Sequence, residues 1–235
     1  AAEIDAVLSV KNYDYSLPIL KVDGLSLRGA ISDAAIPQVG GDITIQWDRR
    51  ASLAMTNPKN LIGRLGGTIK IAEEIADNVS AGEMKEKIIL ELKKVEGKIN
   101  FGLSFYNTEI SLKEIKDLGL EIKKTLKNEG LSIRYVENKE PALSSVAVEM
   151  NGLTARGREF LIEKKDNLYS IARTDAVQPF EQFSARDFGR PGRDDLSGML
   201  PPKLAMILIN LSQTQLNSTL LDPFCGSGTI LSEAL

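Results

Sequence analysis

Two periods run through the chain. Alternation of apolar and polar residues marks half-buried strands. It appears at Ile43-Thr44-Ile45-Gln46-Trp47 and, after a Gly66-Gly67 turn, in the stretch from Arg64 to Ala72. It returns at Lys98 to Tyr106, with Ile99, Phe101, Leu103 and Phe105 on one side, and at Leu131 to Val136. Glu159 to Glu163 and Leu168 to Ala172 form a hairpin around Lys165-Asp166-Asn167. Leu17 to Val22 reads as a further strand, and Leu53-Ala54-Met55 alternates more weakly.

Spacing near 3.6 residues marks helices that bury one stripe. Residues 1–10 read as a short amphipathic helix, and Pro58 opens a helical turn. Glu83 to Val95 places Met84, Ile88, Leu92 and Val95 on one face. Ser111 and Glu114 form an S-x-x-E capping box before a stripe of Leu112, Ile115, Leu118, Ile122 and Leu126, which Gly130 ends. Pro201 opens another helix, whose Leu204, Ile207, Leu208 and Leu211 predict a core-facing stripe. Ala142 to Met150 fits a helix or a strand equally. Phe180 to Arg193, broken by Gly189, Pro191 and Gly192, reads as a linker.

The chain's chemistry concentrates in its last stretch. Apolar Thr219-Leu220-Leu221 predicts a strand running into Asp222, followed by Pro223-Phe224-Cys225-Gly226-Ser227-Gly228 and a helix from Thr229. Gly226 and Gly228 lack a Cβ, so the turn can adopt positive φ and a ligand can approach its backbone. The helix start directs unpaired N–H groups over the turn. This is the first strand–turn–helix of a nucleotide-binding sheet, although the G-x-G-x-x-G dinucleotide fingerprint is not matched. A glycine corner of this kind can also be purely structural.

The residues from Asp222 to Thr229 resemble the cofactor-binding motif I of S-adenosylmethionine-dependent N-methyltransferases. Upstream, Arg193-Asp194-Asp195-Leu196-Ser197-Gly198-Met199-Leu200-Pro201-Pro202-Lys203-Leu204-Ala205 resembles the segment before motif I in tRNA guanine-N2 methyltransferases that carry a THUMP RNA-binding domain. Further likenesses lie at Leu65 to Ile71, Leu143 to Val148 and Thr174 to Phe180. The resemblance implies a multi-domain α/β and α+β protein. Its parts would be an N-terminal ferredoxin-like domain (1–76), a THUMP-like RNA-binding domain (77–177), a linker (178–197) and the start of a Rossmann-fold methyltransferase domain (198–235).

It also implies S-adenosylmethionine as cofactor and tRNA as partner, with N2-methylation of guanosine ten as the reaction. Asp222, Pro223, Phe224, Gly226, Ser227, Gly228 and Thr229 would face the cofactor, and Leu200 and Pro201 would border its methionine end. Arg186, Arg190 and Arg193, lying between and beside Phe183 and Phe188, are candidate RNA contacts, since guanidinium forks bind phosphates and aromatic rings stack on bases. The same arginines could instead pair with Asp187, Asp194 and Asp195 at a domain contact.

Composition narrows the chemistry. The chain contains no histidine and one cysteine, Cys225. Ser-His-Asp and Cys-His catalysis, histidine metal ligation and an internal disulfide are therefore excluded, and no metal site is expected. No apolar run approaches the ~20 residues of a membrane helix, and a cytosolic location fits. The net charge is −3, unlike the basic surface of a nonspecific nucleic-acid coat. Residues 1–84 carry 8 basic and 11 acidic side chains, whereas residues 85–134 carry 11 and 8.

Amino-methyltransferases hold the accepting amine with an Asp/Asn-Pro-Pro-Tyr/Phe motif, and none is present. Asn57-Pro58-Lys59-Asn60 lacks the second proline, and Pro201-Pro202 follows Leu200. The chain therefore reads as a piece of a longer enzyme that is inactive alone. Two alternatives stay open: a DNA amino-methyltransferase, which shares the glycine turn, and a non-catalytic RNA-binding or assembly protein with a vestigial methyltransferase fold.

Overall fold

The computed structural model describes residues 57–189, 198–212 and 219–235, together with the backbones of two strands, β1 (Ile19–Val22) and β2 (Thr44–Trp47). The helix expected at 1–10, the strand at 53–55, Arg190 and Arg193 lie outside these residues. The chain divides into two compact units, residues 70–177 and residues 1–69 with 178–235. Lys70–Val79 is one continuous strand, β3, paired along its length with β7 (Leu168–Val177).

The 70–177 unit is built on five strands in the order β3-β7-β6-β4-β5, where β4 is Ile99–Tyr106, β5 Ile133–Tyr135 and β6 Arg158–Lys165. β7 is antiparallel to both β3 and β6, while β4 is parallel to both β6 and β5. The hairpin between β6 and β7 turns at Asp166, which takes φ 56°. Short polar side chains tolerate that conformation.

Two helices enter the core of this unit, α2 (Ala81–Lys93) and α3 (Leu112–Asn128), numbered after the short α1 (Pro58–Gly63). Met84, Ile88 and Leu92 from α2 and Ile115, Ile122 and Leu126 from α3 join Ile99, Phe101, Leu103 and Phe105 of β4 and Phe160 and Ile162 of β6. Each helix starts with a reciprocal capping box, Ser80 with Glu83 and Ser111 with Glu114. The boxes satisfy N–H groups that the first turn leaves without partners. Leu112, expected in the stripe, is exposed, since it precedes the turn that meets the sheet. Gly119 takes its place: a Cβ there would overlap the Tyr135 ring.

A smaller apolar cluster comprises Leu143, Val148, Leu153 and Val136. The ambiguous stretch is helical over Ser145–Met150 (α4), with Ser144 capping Ala147 N. A Cβ on Gly102 would overlap the Leu143 side chain, so the β4 backbone is bare where this segment crosses it. β4 is consequently buried along nearly its whole length rather than on alternate residues. Among the described residues no helix is long and apolar enough to cross a membrane.

In the other unit, β1 and β2 pair antiparallel, Ile19 opposite Trp47 and Lys21 opposite Thr44. Gln178 is buried and ties this unit's two chain segments together, donating from N to Ile69 O (2.8 Å) and from Nε2 to Leu65 O (2.9 Å) and Gly66 O (3.1 Å). The expected linker is helical in its first half: α5 spans Phe180–Phe188, with Phe183 buried. Its apolar residues are few, but Phe183 falls on the inward face and Gly189 ends the helix. α6 (Pro202–Leu211) follows, then α7 (Thr229–Ala234).

Candidate functional site

Residues 219–222, expected as a strand, are not in one. Strand geometry is held by a neighbour's hydrogen bonds, and no described strand runs beside them. Leu221 and Phe224 are correspondingly 84% and 92% exposed. The turn that follows does form. Asp222 Oδ1 accepts a hydrogen bond from Phe224 N at 3.1 Å, fixing the chain two residues ahead of the carboxylate. Gly228 N donates to Cys225 O at 2.7 Å, and Ser232 N donates to Gly228 O at 2.9 Å as α7 begins.

Both glycines use the freedom that a side chain would remove. Gly226 has φ 49° and Gly228 φ 77°, and Gly228 caps α7. A Cβ on Gly228 would meet nothing within 4 Å, and one on Gly226 only the Phe224 carbonyl oxygen at 3.8 Å. Among the described residues the space beside the turn's glycines is therefore uncrowded, and their positive φ is what requires glycine. Pro223, Ser227 and Cys225 line the turn; Cys225 is a free, exposed thiol, and Thr229 is buried at the helix start. Leu200 and Pro201 lie just before α6, both half-buried.

α6 sits on the glycine-rich segment after α1. A Cβ on Gly66 would overlap the Lys203 carbonyl oxygen and press on Ile207, and Asn210 Nδ2 donates to Arg64 O at 2.7 Å. The stripe predicted on this helix is only partly realised. Ala205 and Pro202 are the buried residues, while Leu208 and Leu211 are exposed. Small residues allow the close approach that Gly66 invites.

Of the three arginines proposed as RNA contacts, Arg186 is described, and it is engaged. Its Nε lies 3.3 Å from Glu233 Oε1, and its Cζ sits 4.5 Å from the centre of the Phe183 ring. Lys203 Nζ lies 5.4 Å from the same ring. Burial pulls the Lys203 amine below its ordinary range, and the negative charge of Asp187 partly offsets this. Phe183 was expected beside the arginines as a stacking ring, whereas Glu233 and Lys203 were not singled out as site residues in the sequence. The signal was available only as a glutamate one turn into a helix that begins at Thr229. Among the described residues no group of three or more cysteine, aspartate or glutamate side chains could hold a metal ion.

Residues 190–235 match the family model for the RMKL-like methyltransferase domain. The matched span contains the glycine turn, α6 and α7. Among solved structures, TrmN from Thermus thermophilus aligns with 92% of this chain and 60% of its own, at 16% identity and a TM-score of 0.46. A 4-thiouridine synthetase crystallised with RNA and bound ATP aligns with 57% of this chain and 30% of its own, at 17% identity and a TM-score of 0.32. This chain thus spans less than two thirds of either structure. Likeness at those scores carries no assignment of activity. A search of curated proteins found no match.

Proposed function

We propose that the chain is part of an S-adenosylmethionine-dependent enzyme that methylates N2 of guanosine ten in tRNA. The observation that carries the reading is the open turn at Gly226 and Gly228, within the segment that matches a methyltransferase domain. The donor fits the residues present. Among the described residues nothing crowds a Cβ at Gly228, and only the Phe224 carbonyl oxygen lies near one at Gly226, while Asp222 fixes the turn by accepting from Phe224 N. Asp222, Pro223, Phe224, Gly226, Ser227, Gly228 and Thr229 would hold the cofactor, with Leu200 and Pro201 beside its methionine end. Bound there, the cofactor supplies an electrophilic methyl group.

The choice of tRNA rests on the resemblance of Arg193–Ala205, with its Gly198-Met199-Leu200-Pro201-Pro202 core, to tRNA guanine-N2 methyltransferases. In this reading residues 77–177 are the THUMP-like RNA-binding domain, and residues 1–76 belong to a ferredoxin-like domain. A guanine amine is a weak nucleophile that must be aligned with the methyl group and relieved of its protons. No Asp-Pro-Pro-Tyr motif for that task exists in this sequence, so the fragment alone is expected to be inactive.

The test is methylation of an unmodified tRNA transcript by the full-length protein. The reading predicts N2-methylguanosine at position ten. Methylation of duplex DNA in its place, or of neither, would overturn it.

A further inference from the structure

α5 lies outside the residues that match the methyltransferase model, yet its Arg186 reaches into them. α7 has only six residues, too few for a helix to hold its own shape in water. Its direction, and that of the glycine turn hydrogen-bonded to its first turn, must come from tertiary contacts. Arg186 and Phe183, one turn apart on α5, provide such contacts. The Arg186 guanidinium lies over the Phe183 ring and against the Glu233 carboxylate, whose side chain is 3% exposed. Lys203, at the start of α6 and three residues after Leu200, approaches the same ring.

The edge of Arg186 formed by Nε and Nη2 is buried and meets no hydrogen-bonding partner among the described residues, so that edge faces the protein and is closed to a phosphate. A carboxylate as enclosed as Glu233 needs a nearby cation to stay charged.

We infer that Arg186 is a positioning residue for the glycine turn, acting through Glu233 and the Phe183 ring. The inference rests on reading 219–235 as the donor site, but its first readout does not. In the full-length protein without ligand, Arg186→Ala and Glu233→Gln should each speed amide exchange across residues 226–234, with Arg186→Lys intermediate. In the same variants the KM for S-adenosylmethionine should rise roughly tenfold, the usual scale of coupling between adjoining elements. The kcat at saturating donor and the KM for tRNA should hold.

Wild-type exchange at 226–234 in both Arg186→Ala and Glu233→Gln overturns the tether. So does a rise in the tRNA KM alone for Arg186→Ala with Glu233→Gln unaffected, which would return Arg186 to RNA contact. Failure of the wild-type protein to bind S-adenosylmethionine sinks the functional reading instead, while the exchange comparison still decides the tether.

Discussion

Lys70 Nζ and Glu159 Oε1 are 2.6 Å apart, with their side chains 2% and 0% exposed. The pair joins β3 to β6 across β7, and the network around it is complete. Lys70 also donates to Leu143 O at 2.7 Å and Tyr106 OH at 3.3 Å. Glu159 accepts from Ser104 Oγ at 2.6 Å and, through Oε2, from Thr174 Oγ1 at 2.7 Å. Ser104 Oγ in turn accepts from Leu143 N at 2.9 Å. Four strands and the segment before α4 are thus joined by polar contacts, most of them buried.

Removing one charge should cost more than removing both. Lys70→Met strands the Glu159 carboxylate and is expected to destabilise the protein by about 3–5 kcal/mol. The double variant Lys70→Met/Glu159→Gln leaves no lone charge and should lose less. Urea denaturation of both variants measures the difference; a double variant weaker than the single would contradict it.

The capping boxes predict an acid limb. Hydrogen bonds from the Ser80 backbone, then its hydroxyl, hold the Glu83 carboxyl below the ordinary range, and the Ser111 hydroxyl, then its backbone, do the same for Glu114. Both pKa values fall on folding, so the stabilisation is complete above the unfolded carboxylate pKa of about 4.3. It is lost as pH falls through the lower folded values. Ser80→Ala and Ser111→Ala should flatten stability against pH below that point and move each glutamate's NMR titration towards the ordinary range, more completely for Glu114, whose first cause is the hydroxyl that the substitution removes.

Tyr135 predicts the alkaline counterpart. Burial first, and then the charge of Glu137, push its phenol from 10.0 to about 12. The hydroxyl donates to Asn138 Oδ1 at 3.2 Å and lies 3.4 Å from Ile115 O. Folding favours the neutral form, so this contribution is full below the unfolded pKa of about 10 and is lost as pH rises towards 12. Ultraviolet titration should show a late-ionising step from Tyr135, and Tyr135→Phe should remove that step.

Gly66 is where α6 rests. Gly66→Ala puts a methyl group into the Lys203 carbonyl and Ile207. The expected cost is about 1–3 kcal/mol, typical of overpacking, visible as a lower melting temperature. Gly63→Ala, where a Cβ meets nothing within 4 Å, is the control and should melt as wild type.

The periodic parts of the fold were readable because they obey one rule each. Ile99 to Phe105 alternate, Ile115 to Leu126 recur every turn, and both stretches meet the same core. The polar network was hidden by that same rule. Lys70, Ser104, Glu159 and Thr174 occupy the polar half of an alternation that normally faces water, yet all four are buried, with Leu143 bonded to both Lys70 and Ser104. α5 was missed because Gly189, Pro191 and Gly192 dominate its neighbourhood, while one buried phenylalanine seats it.

At the candidate site, positive φ at Gly226 and Gly228 was legible from composition alone. The strand before them was not assured by its apolar residues, because pairing depends on a neighbour. The partner of Arg186 was invisible for a related reason: Glu233 is 47 positions along the chain, and no local pattern joins the two.

Titration calorimetry of S-adenosylmethionine into the full-length protein and its Gly228→Val variant bears most directly on the account. Binding by the wild type and its loss in the variant, whose side chain would occupy the bare space over the turn, is the predicted result. Equal affinity in the two proteins would contradict it, and the glycine turn would then be a structural corner and nothing more.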